Sequence, residues 1–227
     1  MDPDQNRLEI DPFRHQPPFD WRALFGNDHP VDIEIGCGKG RFLAAIAERS
    51  PARNFLGAER AARFYRKAVA RVRHRGVRNV RLMRADGLDL LDRWVPPASV
   101  QRIHLYFPDP WPKKRHHKRR IVRPALLQLA ARAVPPGGEF RVATDHPEYR
   151  QVIREQFAAH AEFFAPRPWS AEDPERLPTS YSEKWQRAGR ALWWARYHRT
   201  SAPARPTSPL DAFQRDATFP TAHGAGD

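Results

Sequence analysis

The sequence predicts an α/β fold, a doubly wound parallel sheet with helices on both faces. Short apolar runs alternate along residues 31–160 with longer runs whose apolar positions recur every three to four residues. Glycine and proline punctuate the transitions at residues 36–40 and 135–138. Because a strand–helix–strand series closes with right-handed crossovers, its consecutive strands are expected to lie parallel in one sheet.

The first half of the predicted sheet has three strands. Residues 31–35 are an apolar run that ends at a glycine-rich turn, which predicts a strand followed by a helix over residues 40–49. Residues 54–58 and 79–83 predict the second and third strands, and the helix between them covers residues 61–75. The apolar residues of that helix repeat with helical spacing: Ala61, Tyr65, Ala68, Val69 and Val72.

The second half supplies two more strands and two more helices. Residues 100–107 alternate apolar and polar positions, which predicts the fourth strand. A helix over residues 123–134 ends at two prolines and two glycines. Residues 139–143 then predict the fifth strand, and residues 146–160 predict a further helix.

The ends of the chain differ from this periodic part. Residues 1–30 are a polar, proline-broken lead-in segment, and the predicted domain covers residues 31–200. Four prolines in residues 166–178 predict a loop or flap, and the aromatic run over residues 190–198 predicts a final strand at the sheet edge. Residues 201–227 combine prolines with small polar residues, so a disordered tail is expected there.

The charge of the 227-residue chain is strongly positive. Lysine and arginine number 39 against 26 aspartate and glutamate residues, and the pI is near 10.7. Residues 201–227 hold two arginines against three aspartates, so the excess belongs to the folded part. A polyanion is therefore the expected partner, with nucleic acid ahead of a membrane surface. A generally arginine-rich, solvated surface is the alternative explanation.

Several features favour a cytoplasmic protein. No apolar run reaches the ~20 residues needed to span a bilayer, so no membrane partner is expected. The N-terminus lacks the apolar stretch of a signal peptide. The single cysteine, Cys37, excludes an intrachain disulfide and suits a reducing compartment. The sequence leaves the oligomeric state open between monomer and homodimer.

A glycine-rich segment after the first strand predicts a cofactor site. Residues 34–40 read EIGCGKG, and Gly36, Gly38 and Gly40 let the backbone turn tightly and approach a ligand. The N-terminus of the following helix faces the same ligand. Cys37 stands between glycines, where a small residue is needed, and we interpret its role as steric rather than nucleophilic.

Three acids indicate which cofactor this is. Glu59 ends the second strand, where an acid commonly binds ribose hydroxyls, and Asp86 ends the third, where it can accept from an adenine amino group. Glu34 would repel the pyrophosphate of NAD, the rival cofactor. The same carboxylate suits the cationic amino group and sulfonium of S-adenosylmethionine, which is therefore the expected cofactor.

The segment FPDPWPKKRHHKRR, residues 107–120, predicts a site for a nucleobase. Asp109 follows the fourth strand at the edge where open α/β sheets bind ligands, and a carboxylate can accept two hydrogen bonds from guanine. Trp111 offers a ring face for stacking. The cations behind them are expected to lie along phosphates: Lys113, Lys114, Arg115, Lys118, Arg119 and Arg120. A proline-rich strand exit with a solvated charge run is the alternative.

Two further features of the sequence bear on partners. Adjacent His116 and His117 lack the spaced carboxylates or cysteines of a metal site, so no metal is expected. A second basic surface is expected within residues 61–85, which contain nine lysine and arginine residues and no acid. Part of it must be the outer face of the second helix.

Together these motifs resemble bacterial tRNA (guanine-N7-)-methyltransferases of the TrmB type. The resemblance covers residues 31–198 and is carried by EIGCGKG (34–40), FPDPW (107–111), KKRHHKRR (113–120) and ATD (143–145). It implies a Rossmann-like class I S-adenosylmethionine-dependent methyltransferase domain. It also implies tRNA as the partner and a guanosine of the tRNA variable loop as the target.

The resemblance implies roles for individual residues as well. Four acids would lie on the cofactor side: Glu34, Glu59, Asp86 and Asp109. Asp109 would also be the active-site acid, and Lys113 and Asp145 would contact the substrate guanosine or its neighbours.

A late Thr-x-x-Glu element of the family corresponds here to residues 179–185, TSYSEKW. Strict spacing places Ser182 where the family has glutamate, and the nearest acid is Glu183. Either the acid is displaced by one position or this contact is altered. Thr179 and Tyr181 complete this candidate substrate contact.

The implied reaction needs little acid–base chemistry. Guanine N7 carries a lone pair and no proton, so direct in-line displacement requires positioning rather than a strong base. Asp109 would stabilise the positive charge that develops on the ring. Three alternatives stay open: an amino-group methyltransferase for adenine or cytosine, an RNA-binding module on an inactive methyltransferase fold, and a small-molecule methyltransferase. The first typically carries Asn/Asp-Pro-Pro-aromatic after the fourth strand, whereas this chain has Pro-Asp-Pro-Trp.

Overall fold

The computed structural model describes residues 8–169 and 191–204 of the chain. The strands are β1 (Glu9–Ile10), β2 (Val31–Ile35), β3 (Asn54–Ala58), β4 (Val80–Met83), β5 (Arg102–Tyr106), β6 (Glu139–Thr144), β7 (Phe164–Arg167) and β8 (Trp193–Arg199). The helices are α1 (Trp21–Phe25), α2 (Arg41–Arg49), α3 (Ala62–Arg75), α4 (Gly87–Asp89), α5 (Pro124–Ala133) and α6 (Pro147–Ala158). A π-helical turn, Leu90–Trp94, continues α4, and a 3-10 helix covers Lys114–Arg119.

Within these residues the strands form one open sheet in the order β1-β4-β3-β2-β5-β6-β8-β7. All five strands and all four helices that the periodicity predicts between residues 31 and 160 are present, with ends displaced by at most two residues. β1 to β6 pair in parallel, whereas β8 is antiparallel to both β6 and β7. The doubly wound α/β prediction is therefore confirmed, with an antiparallel addition at one end.

The late strands differ from the sequence prediction. β8 was expected at the sheet edge, but β7 covers it. The last two residues of β7, 166 and 167, lie in the segment that was predicted to be a loop. Pro166 lies in β7 opposite Tyr197 of β8. A proline that lacks an N–H is tolerated there because β7 is itself the edge strand.

The strand order creates a switch point beside β2. The chain continues from β2 to β3 on one side, whereas β5 pairs with β2 on the other, in the register Ile33 opposite Ile103. The connections therefore diverge between the carboxyl ends of β2 and β5 and leave a crevice there.

Helices cover both faces of the sheet, as predicted. One buried cluster joins Ile33, Leu56 and Phe140 of the strands to residues of α5 and α6. A second cluster joins Phe55 and Leu82 of the opposite face to α2 and α3. Burial of alternate strand residues on opposite faces explains why the strands read as continuous apolar runs.

Close backbone approach fixes α2 against the sheet. A Cβ atom at Gly57 of β3 would lie 2.6 Å from Leu43 Cδ2 and 2.8 Å from Leu82 Cδ2. A Cβ at Gly40 would lie 3.0 Å from the Cα of Ala68 on α3. The glycines thus let α2 pack tightly between β3 and α3, which sets the position of its N-terminus.

The lead-in segment takes part in the core. Phe19 is buried and packs on Trp94 and Trp21, with ring centroids 5.1 and 5.3 Å apart. α1 is capped by Asp20, whose carboxylate accepts from the backbone N–H of Ala23. The domain limits at residues 30 and 200 stay predictions, and the predicted tail lies outside the described residues from residue 205 onward. Among the described residues, no helix has both the length and the apolar character to cross a membrane.

Candidate active site

The carboxyl edge of the sheet gathers the predicted site residues. Each of five neighbouring parallel strands is followed within three residues by one of them: Gly36 after β2, Glu59 after β3, Asp86 after β4, Asp109 after β5 and Asp145 after β6. Residues separated by more than a hundred positions in sequence therefore lie along one edge. The loops after β2 and β5 flank the crevice.

The glycine-rich loop is tied to β3 on one side and open on the other. Gly36, Gly38 and Gly40 have φ values of 70°, 56° and 67°, a conformation that favours glycine. The N–H groups of Gly36 and Cys37 donate to the carbonyl of Ala58 at 2.8 and 3.0 Å. A Cβ at Gly36 would meet nothing within 4 Å. The open side of the loop can therefore receive a ligand against the backbone.

Glu59 holds the loop in place. Its carboxylate accepts from the N–H of Gly38 at 3.0 Å and from the N–H of Ala61 at 2.7 Å. A loop N–H that would bind a diphosphate is thus already engaged by an anion. This arrangement disfavours a dinucleotide, while the remaining lone pairs of the carboxylate can still accept from ribose hydroxyls.

Glu34 is a buried acid with one carboxyl oxygen that lacks a hydrogen-bond partner among the described residues. The residue is 4 % exposed, and its Oε2 atom has no hydrogen-bond partner among the described residues. Burial, and then the charge of Glu59, raise the pKa of Glu34 from 4.5 to about 8. An unpartnered carboxyl in an apolar environment is costly unless a ligand completes it. The site therefore fits a cofactor with a cationic amino group, as S-adenosylmethionine has.

Cys37, a residue of this loop, has a buried side chain. Burial, followed by the charges of Glu34 and Glu59, raises the pKa of its thiol well above the ordinary value. A thiol held protonated is a poor nucleophile. Its environment supports the steric interpretation.

Asp86 lies beside the same loop. Its Oδ1 atom accepts from the N–H of Leu88 at 2.9 Å and caps α4, while the side chain is exposed. A Cβ at Gly87 would collide with the side chain of Ile35 at the end of β2. This close approach brings Asp86 next to the end of β2, from which the glycine-rich loop begins.

The loop after β5 leaves the strand through an unusual backbone conformation. Phe107 and Trp111 have φ values of 54° and 43°, in the left-handed region that favours glycine. The N–H of Phe107 still donates to the carbonyl of Ala143 at 2.8 Å. Strained residues of this kind persist only where the surroundings hold them. The loop exposes Asp109 at the crevice.

Trp111 is half-buried within its own loop. The guanidinium of Arg119 lies 5.0 Å from the centroid of the indole ring, and the ring of His116 meets it edge-on at 5.7 Å. Arg119 therefore takes one face through a cation–π contact. At most one face of the indole is available to a base.

Arg120 corrects the sequence interpretation. It was grouped with the phosphate-binding cations, but it is only 6 % exposed. Its Nε donates to the carbonyl of Pro110 at 2.8 Å, and its two terminal nitrogens pair with Glu148 of α6 at 2.9 and 3.0 Å. The guanidinium also lies over the ring of Tyr149 at 5.1 Å. Arg120 thus fastens the Asp109 loop to α6.

The sequence could not reveal this anchor, because its two ends are 28 residues apart and only the fold brings them together. The hydrogen bond from Arg120 lowers the pKa of Glu148, which strengthens the case for an ion pair at neutral pH. The other cations of the run are exposed, as predicted: Lys113, Lys114, Arg115, Lys118 and Arg119.

The far side of the crevice is aromatic. Trp194 of β8 packs against Tyr106 and Phe107, with ring centroids 5.2 and 5.7 Å apart. Asp145 is half-buried at the end of β6. Four predicted substrate contacts lie outside the described residues: Thr179, Tyr181, Ser182 and Glu183. In the part of the chain that the structure describes, no three His, Cys, Asp or Glu residues cluster to hold a metal ion.

A family model and several relatives of known name are similar to this chain, and all of them are methyltransferases. A family model described as "Putative methyltransferase" matches residues 28–195. A tRNA (guanine-N(7)-)-methyltransferase of Methylococcus capsulatus is 38 % identical over 185 residues, which cover 80 % of each chain. The enzyme of that name in Mycobacterium avium is 39 % identical over 187 residues, covering 80 % of this chain and 71 % of the relative.

Solved structures support the fold. The 16S rRNA methyltransferase KamB has a TM-score of 0.56 at 18 % identity, over 84 % of this chain and 97 % of its own. A structure titled as an antibiotic-related methyltransferase has the same TM-score, 0.56, at 14 % identity, over 78 % of this chain and 92 % of its own. At these identities the likeness concerns the sheet and its helices alone.

The raised pKa of Glu34 predicts a proton release on cofactor binding. Between pH 4.5 and about 8 the folded protein keeps this carboxyl largely protonated, and a bound cationic group favours its ionised form. We expect S-adenosylmethionine to release close to one proton at pH 7 and much less at pH 9, where the carboxyl is already ionised. Titration calorimetry in buffers of different ionisation enthalpy measures this number.

Glu34→Gln should bind the cofactor more weakly and release no proton. Glu48→Gln, which removes an exposed acid paired with Arg75, serves as the matched control and should behave as the wild type. Binding to the wild type at pH 7 without proton release would contradict the role assigned to Glu34.

The Arg120 anchor predicts a loss of both stability and turnover. Arg120→Met removes the contacts that hold the Asp109 loop, so the melting temperature should fall. Because small misplacements of reacting groups are costly, kcat for methyl transfer should fall about 10- to 100-fold. Arg14→Met removes an exposed arginine paired with Asp11, outside the cationic run, and should leave the melting temperature and kcat near the wild-type values. Equal melting temperatures and equal kcat values for the two variants would show that Arg120 does not hold the Asp109 loop.

Proposed function

The chain belongs to this methyltransferase family, with tRNA (guanine-N(7)-)-methyltransferases among its relatives, and we propose that it methylates N7 of a guanosine in tRNA. S-Adenosylmethionine is the methyl donor. The observation that carries the proposal is the pairing of two loops at the switch point. An acid-lined glycine loop follows β2, and the Asp109 loop follows β5. Because paired strands lie about 4.8 Å apart, ligands bound by these two loops are neighbours.

Three acids are proposed to hold the donor. The unpartnered Oε2 atom of Glu34 suits the amino group of the donor, and the carboxylate of Glu59 suits its ribose hydroxyls. Asp86 suits its adenine amino group. When bound, S-adenosylmethionine supplies an electrophilic methyl group on its sulfonium. Gly36, Gly38 and Gly40 are proposed to let that ligand approach the backbone. Their positive φ values support this role.

Asp109 and Trp111 are proposed to hold the guanine. The Asp109 carboxylate accepts from N1–H and the 2-amino group, which leaves the N7 edge of the base directed towards the donor. The free face of Trp111 stacks on the base, a contact worth about 1–3 kcal/mol. Since N7 has no proton to lose, these residues act by positioning, and the charge of Asp109 favours the cationic ring as it forms.

The RNA backbone is proposed to lie along the exposed cations after Trp111. Lys113, Lys114 and Arg115 begin this surface and stand clear of the buried Arg120. Asp145, which follows β6 next to β5, is proposed to contact the target nucleotide or its neighbours. The family resemblance points to the variable loop of tRNA, and to contacts from the segment 179–183.

The proposal is tested by identifying the product. Unmodified tRNA transcript is incubated with the enzyme and labelled S-adenosylmethionine, digested to nucleosides and analysed by mass. We expect 7-methylguanosine, and we expect Asp109→Ala to lower kcat by about 100-fold or more, because both positioning and charge stabilisation are lost. Asp28→Ala, which removes an exposed acid paired with Arg22, is the control and should retain full turnover.

The alternatives give different products. A methyl group on an exocyclic amino group would keep the fold and the cofactor and replace the guanine-N7 assignment. Cofactor binding without transfer to any tRNA transcript would favour an RNA-binding role on an inactive fold. Full turnover by Asp109→Ala would show that another residue holds the base.

A further inference from the structure

We propose that α3 carries a second phosphate-binding surface for the RNA substrate, formed by Arg63, Arg66 and Lys67. This α3 surface lies on the opposite side of the cofactor loop from the cationic run after Trp111. The inference rests on the proposed function, because it assigns a further contact to the same RNA.

The periodicity of α3 places the three cations on its outer face. Tyr65 and Ala68 are buried against the sheet, whereas Arg63, Arg66 and Lys67 are exposed. Positions three and four apart on a helix are neighbours, so the three side chains share one patch. Like charges so placed repel each other by a few tenths of a kcal/mol per pair. A bound anion would relieve this repulsion.

The two ends of α3 differ in how their charges are compensated. At the C-terminal end, Arg73 pairs with Glu9 at 2.7 Å and Arg75 pairs with Glu48 at 2.9 Å. Across the part of the chain that the structure describes, no carboxylate pairs with Arg63, Arg66 or Lys67. Arg71, between the two groups, also has no carboxylate partner among the described residues, but it is half-buried. The exposed cations of α3 that lack a carboxylate partner therefore lie in its N-terminal half.

That end is the one nearest the active site. α3 begins three residues after Glu59, at the carboxyl edge of β3, and runs back towards the opposite edge of the sheet. Arg60 and Arg84 are also exposed at this edge, after β3 and β4. The compensated arginines lie at the far end. The exposed cations without a carboxylate partner therefore lie nearer the cofactor loop than the paired arginines do.

The chemistry of the surface fits a phosphate backbone better than a lipid surface. A membrane-binding helix needs an exposed apolar face beside its cations. The apolar face of α3 is packed into the core, and the one exposed large apolar side chain among the described residues is Phe13. The α3 surface therefore presents charged guanidinium and ammonium groups to a partner, without an apolar face beside them.

The α3 surface would hold the RNA on both sides of its target. β3 and β5 flank β2, so their ends are about 10 Å apart across the cofactor loop. Phosphates on one side of the target guanosine would meet the run after Trp111, and phosphates on the other side would meet α3. Such a two-sided contact would fix the orientation of the base without reading its sequence.

The test compares two triple variants that lose the same charge. Arg63→Gln, Arg66→Gln and Lys67→Gln together remove the surface, whereas Arg73→Gln, Arg75→Gln and Arg78→Gln remove cations from the far end of α3 and the turn after it. Binding of unmodified tRNA transcript is measured at several salt concentrations. The slope of log K against log salt should fall by about 2–3 for the first variant, as expected for three lost phosphate contacts, and far less for the second.

Kinetics separates this surface from the active site. For the first variant, KM for tRNA should rise while kcat at saturating tRNA and the affinity for S-adenosylmethionine stay at wild-type values. An unchanged salt slope in that variant, with a wild type that methylates tRNA, would overturn the α3 surface alone. A wild type that does not methylate any tRNA would overturn the proposed function and this inference with it. Loss of binding to phosphatidylserine vesicles, with tRNA binding intact, would assign the surface to lipid instead.

Discussion

The arrangement of the whole site depends on one topological constraint, the pairing of β5 with β2 on the side away from β3. Because the chain leaves β2 in one direction and returns on its other side, the connections that follow β2 and β5 diverge at the carboxyl ends of these two strands. The glycine loop and the Asp109 loop therefore face each other across a crevice. The close approaches at Gly40 and Gly57 hold α2 in place and complete the geometry on the cofactor side.

Charge is distributed across this crevice according to the chemistry of each side. The cofactor side carries buried or loop-bound acids, of which Glu34 keeps an unmet carboxyl oxygen at a cost to the unliganded protein. The RNA side carries exposed cations, held in position by the one cation of the run that is buried, Arg120. The proposed roles follow from this distribution: the acids would bind a cationic donor, the cations would bind a polyanion, and Asp109 would lie between the two ligands.

Local patterns predicted much of this architecture. The limits of β2 and β3 were predicted to the residue from their apolar runs. For β2 the limits are set by Pro30 before the strand and Gly36 after it. Glu34 and Asp109 could be singled out because acids at the ends of parallel strands must converge. The place of β8 could not be predicted, since it depends on β7 pairing across a long connection. The anchoring role of Arg120 was hidden for the same reason, because a buried ion pair with a distant helix has no local signal.

The most direct test is a crystal structure of the protein with S-adenosylhomocysteine and 7-methylguanosine monophosphate. We expect the amino group of the cofactor product at hydrogen-bond distance from Glu34. We also expect the N1–H and 2-amino edge of the guanine to donate to Asp109, with the N7 methyl group directed at the sulfur. A cofactor product whose amino group lies away from Glu34, or a guanine bound away from Asp109, would show that the reaction does not take place at the switch point between β2 and β5.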